Sequence, residues 1–76
     1  MSRIEEKILK IISEYYGDEC DIDDLFYENI CTSDMEMSEL IGILEGENIL
    51  VGTIPRAMEF ELVKEFLDWV VDNNLR

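Results

Sequence analysis

The chain has 76 residues and a mass of 8.9 kDa, enough for one domain over 1–76 and too little for a second core or for an enzyme with its own deep cleft. Hydrophobic residues make up 47% and charged residues 33%, a globular mixture rather than a disordered one. Acidic residues number 19 against 6 basic ones, with no histidine and a formal charge of -13, which argues against phosphate-directed nucleic-acid binding, anionic membranes and imidazole chemistry and favours a partner with a basic patch.

Three principal helices are predicted. The first opens at Ser2, whose hydroxyl can cap it while Glu5 reaches back to complete a capping box. Ile4, Ile8, Ile11, Ile12 and Tyr15 then form one apolar stripe, and Gly17 supplies the left-handed residue that closes the helix. The acidic connection from Gly17 to Thr32 carries spaced apolar residues, Ile22, Leu25, Phe26 and Ile30. That spacing predicts a segment pinned onto the bundle, with room for a single helical turn.

The second helix opens with another capping box, Ser33 to Glu36, and Asp34 and Glu36 complement its macrodipole. Met37, Leu40, Ile41 and Leu44 form its buried stripe. Met35, Glu39, Gly42 and Gly46 face outward, with Glu36 and Ile43 on one flank. Close approach of another backbone, or for Gly46 the helix end, would account for the two glycines. The run Ile49-Leu50-Val51 has strand composition but no partner strand, so it is expected to pack on the helices. Pro55 suits the first turn of a short helix through Arg56, Ala57 and Met58. The last helix is expected from Glu59 to Asn73, burying Phe60, Val63, Phe66, Leu67, Val70 and Val71, with Trp69 half exposed. The fold class is all-α: a small bundle of three principal helices plus a short third one, with a long first loop.

No signal peptide and no apolar run of about 20 residues is visible, and Cys20 and Cys31 lack metal-site or disulfide-framework spacing. A cytoplasmic monomer with two reduced thiols is the expectation. Asp21, Asp23 and Asp24 do not make a calcium loop, because the sixth and twelfth places counted from Asp21 are Phe26 and Thr32 instead of glycine and glutamate. Glu36 and Glu39 are expected to be exposed, without usefully shifted pKa values. Met35, Met37 and Met58 read as core or groove filler rather than as a ligand set.

The stretch from Phe26 to Glu45 resembles the centre of an acyl carrier protein, a family that commonly reads F-x-E-D-L-G-x-D-S-L-x-x-x-E-L-x-x-x-L-E there. Phe26, Glu28, Ile30, Glu39, Leu40, Leu44 and Glu45 fall in register without a gap. Ile54-Pro55 resembles the family's I-P before its third helix, and the last helix resembles its fourth. The loop before Ile54 is slightly longer than usual, and the segment after Pro55 correspondingly shorter. The resemblance implies a four-helix carrier fold of acyl-carrier type. In that family the serine of D-S-L carries a phosphopantetheine arm, whose thiol holds the acyl group.

Here the aligned position is Asp34, followed by Met35, and a carboxylate cannot form that phosphodiester. Ser33 stands one residue early, which on a helix turns a side chain by about 100° and shifts it by about 1.5 Å. Its simplest role is an N-cap. The family's glycine three residues before the serine is Cys31. The resemblance therefore implies a non-catalytic docking module with no cofactor, whose face at Met35, Glu36, Glu39 and Ile43 meets a basic patch on a synthase, ligase or transferase. One alternative is a working carrier for fatty-acid, polyketide or related synthesis, bearing 4'-phosphopantetheine on Ser33. Another is an acidic inhibitor or decoy that occupies a basic nucleic-acid-binding site.

Overall fold

Ser2 and Glu5 open α1 (Arg3–Tyr16) as their spacing predicts. The Glu5 N–H donates to Ser2 Oγ at 3.3 Å and the Ser2 N–H donates to Glu5 Oε1 at 2.9 Å, so both halves of the capping box form. Gly17 closes the helix at φ 89° and its N–H donates to the Ser13 carbonyl at 2.9 Å. The structure, a computed structural model, describes residues 2–74. Two further α-helices follow, α2 (Asp34–Gly46) and α3 (Val63–Asn73), with a single π turn at Phe26–Ile30 and a 3-10 turn at Ala57–Glu59 in the connections. No strand occurs among the described residues, and the fold is all-α.

At the start of α2 only half of the expected capping box forms. The Glu36 N–H donates to Ser33 Oγ at 3.2 Å, but the Glu36 carboxylate turns to Thr32, accepting from its N–H at 2.8 Å and from its hydroxyl. Met37, Leu40, Ile41 and Leu44 are buried as the period predicts. A Cβ built on Gly42 or Gly46 meets nothing within 4 Å, so among the described residues no backbone from another element approaches either glycine, and Gly46 is simply the last residue of its helix.

The long first connection is pinned. Cys20, Phe26, Ile30 and Cys31 are buried, and the backbone is tied to the entry of α3. The Phe26 N–H donates to the Glu61 carbonyl at 2.7 Å, Val63 to Asp24 at 2.9 Å, and Lys64 to Ile22 at 2.9 Å. Leu25 and Leu62 form an isolated antiparallel bridge. This pairing corrects the expected start of the last helix. Phe60 and Leu62 are extended because residues there serve the loop, so α3 begins at Val63 rather than Glu59. Pro55 likewise precedes the short 3-10 turn instead of heading it, and Val71 is exposed rather than in the buried stripe.

The core centres on aromatic rings. Phe26 stacks on Phe66 at 4.6 Å between centroids, and Phe60 meets both edge-on at 6.0 and 5.2 Å. Half-buried Trp69 extends the cluster, 5.9 Å from Phe60. Two bonds give the sense of the helices: Lys7 Nζ donates to the Glu47 carbonyl at 3.0 Å, and Tyr15 Oη to the Glu36 carbonyl at 3.4 Å. The N-terminal half of α1 thus lies beside the end of α2, and its C-terminal half beside the start, so the pair is antiparallel. No helix among the described residues is long and apolar enough to cross a membrane.

Candidate functional site

The residues singled out from the sequence lie along α2, with Ser33, Asp34, Met35 and Glu36 at its start and Glu39 and Ile43 further along. Ser33 is exposed and caps the helix through Glu36, as expected of an N-cap. Asp34 is also exposed but is not idle. Its Oδ1 accepts the Ala57 N–H at 3.1 Å, and its Oδ2 lies 4.0 Å from Arg56 Nε. The first N–H groups of any helix lack internal partners, so Asp34 acts as a side-chain cap for the 3-10 turn while standing at the first position of α2. Two helix starts therefore meet at one carboxylate. This link joins residues far apart in the chain, and no local sequence signal announces it.

The expected docking face is only partly as drawn. Met35 is 76% exposed, and Glu39 and Ile43 also reach solvent on the ridge that Met35 begins. Glu36 is half-buried and committed to Thr32. Hydrogen bonds from the Thr32 hydroxyl and then its N–H hold the Glu36 carboxyl below the usual carboxylate range. The shift is downward, towards a fixed anion and away from proton transfer. Among the three methionines only Met37 is core, since Met58 is 63% exposed.

Cys31 lies beneath this surface, fully buried, and its Sγ approaches the Ser33 carbonyl at 3.9 Å. Burial, reinforced by the charges of Glu36, Asp34 and Glu39, pushes its thiol up to about 12. Cys20 is also raised by burial, against a contact with the Ser13 hydroxyl. Neither thiol is disulfide-bonded. Both thiols are packed in the hydrophobic core, and burial favours their neutral form. Among the described residues no group of three or more Cys, Asp or Glu side chains is arranged to hold a metal ion.

Chemically, then, the surface offers one alcohol acting as a cap, one carboxylate tied across two elements, and an exposed ridge of apolar and acidic side chains. That combination suits non-covalent recognition of a cationic, partly apolar surface. Compared with protein-family models, curated proteins and solved structures, the chain matches none.

Proposed function

We propose that the protein is an acyl-carrier-like docking module that works without a prosthetic arm. The gap-free register of Phe26, Glu28, Ile30, Glu39, Leu40, Leu44 and Glu45 with the acyl carrier pattern supports the family, as does the order of long helix, pinned loop, helix, short turn and helix. The observation that carries the absence of the arm is Asp34. The residue at the attachment position has no alcohol, and its carboxylate is engaged by Ala57 and Arg56. Met35, Glu39 and Ile43 then meet the partner, a synthase, ligase or transferase with a basic patch, and acidic charge steers the encounter.

Intact-mass spectrometry after incubation with coenzyme A and a broad-specificity phosphopantetheinyl transferase tests this reading. The wild-type chain stays unmodified, whereas the double variant Ser33→Asp, Asp34→Ser, which restores the family's order, gains the phosphopantetheine mass. Adding Glu39→Lys to that variant slows modification about tenfold at low salt. A double variant that the transferase ignores overturns the family reading.

A second reading is favoured by one observation: Ser33 is exposed, and its hydroxyl proton has no acceptor among the described residues. In that case Ser33 itself carries the arm, and a mass increment on the wild type that vanishes in Ser33→Ala selects it.

A further inference from the structure

The segment that follows α2 leaves much of its backbone without partners among the described residues. Ile49 and Val51 are buried while Leu50 between them is 44% exposed, the alternation of an extended chain whose one side faces a core. Asn48 at φ 66° and Gly52 at φ 76° bracket the run with left-handed turns. From Leu50 to Pro55 no backbone N–H or C=O group finds a hydrogen-bond partner among the described residues. Beside this backbone an open groove of about 570 Å³ is lined by Leu50, Ile54, Gly52, Thr53 and Glu45. Ile54 is 54% exposed there, and Gly52 places no side chain over the groove.

Backbone polar groups are rarely left without partners once covered, and two large apolar side chains beside unpaired backbone are what an extended peptide recognises. Among the described residues the only charged wall is Glu45, in a chain of formal charge -13. A second copy would bring the same charge to the same place, whereas a cationic segment is attracted.

We propose that the groove at Leu50–Ile54 is a docking site for an extended, basic segment of a partner protein. That segment lays an apolar side chain between Leu50 and Ile54, directs a Lys or Arg to Glu45, and hydrogen-bonds the unpaired backbone on either side of the Gly52 turn. This surface is separate from the α2 ridge, and the two can fail independently.

The probe is a short synthetic peptide of alternating valine and lysine, titrated into the isotope-labelled full chain and followed by NMR. The peptide shifts the amides of Leu50 to Ile54 and slows their hydrogen exchange about tenfold. Leu50→Ser with Ile54→Ser, both at exposed positions, weakens binding about tenfold or more while the remaining spectrum keeps its dispersion. N-methylation of alternate peptide bonds in the probe weakens binding similarly on the register that faces the protein. Shifts spread over the acidic surface, shifts confined to α2, no shifts at all, or equal binding by both methylated registers would each overturn the proposal.

Discussion

Asp34 shows how one exposed carboxylate at a helix start can tie two elements together. Its Oδ1 satisfies the N–H of Ala57, a fully buried residue, and a covered donor without an acceptor costs about 1–3 kcal/mol. Asp34→Ala is therefore expected to lose about 1–2 kcal/mol in urea denaturation. Asp34→Asn keeps an acceptor oxygen and gives up only the exposed pair with Arg56, worth less than about 1 kcal/mol. Equal losses in the two variants would show that the ion pair, not the hydrogen bond, is the link. None of this is legible locally: Ser33 announces itself as an N-cap by its spacing to Glu36, whereas the partner of Asp34 lies in another element. The diversion of Glu36 to Thr32 is hidden for a related reason. A carboxylate at that place can reach back to either of two N–H groups, and the residue pattern does not choose between them.

Among the elements, the loop between α1 and α2 carries more of the fold than its acidity suggests. Its apolar spacing predicts that it is pinned, and Phe26 and Ile30 are indeed buried. Where it is pinned is a long-range matter, since Phe26 stacks on Phe66 and pairs with Glu61 through its backbone. That pairing also explains why α3 starts late: helical periodicity in Phe60 and Val63 is compatible with a longer helix, but an extended backbone at Leu62 forms the bridge to Leu25. Phe26→Ala is expected to cost about 3–5 kcal/mol, a large part of the roughly 4–11 kcal/mol available to a chain of this length. Tyr27→Ala, on the exposed side of the same turn, should stay within about 0.5 kcal/mol. Comparable losses at both positions in denaturant unfolding would mean that the loop is not anchored through the Phe26 ring.

For the whole molecule the dominant quantity is charge. At -13 the compact state repels itself, and salt screens that repulsion within a Debye length of about 8–10 Å. Raising salt from a few millimolar to physiological strength should thus raise the melting temperature. Acid has two opposing effects. Protonating carboxylates relieves repulsion, yet Glu5 and Glu36, held low by Ser2 and Thr32 respectively, stabilise the fold only while ionised. A depressed folded pKa gives stability that is complete above the unfolded value near 4.5 and is lost as pH falls through the folded value. The advantage of wild type over Glu36→Gln in urea midpoint should accordingly be constant near neutrality and shrink below about pH 4.5. A difference that does not change with pH would remove the Thr32–Glu36 contact from the account.

The all-α class, the three main helices, the cap at Ser2, the stop at Gly17 and most of the core follow from the order of residues, because caps and helical period act over a few positions and each leaves a local trace. The same order carries the resemblance on which the proposed docking function rests. Folding alone settles that Asp34 holds the Ala57 turn, that Glu36 answers to Thr32, that α3 waits until Val63, and that Leu50 and Ile54 are left beside unpaired backbone. Each of these depends on which distant group arrives within hydrogen-bond or van der Waals reach, and such proximity leaves no periodic mark on the chain.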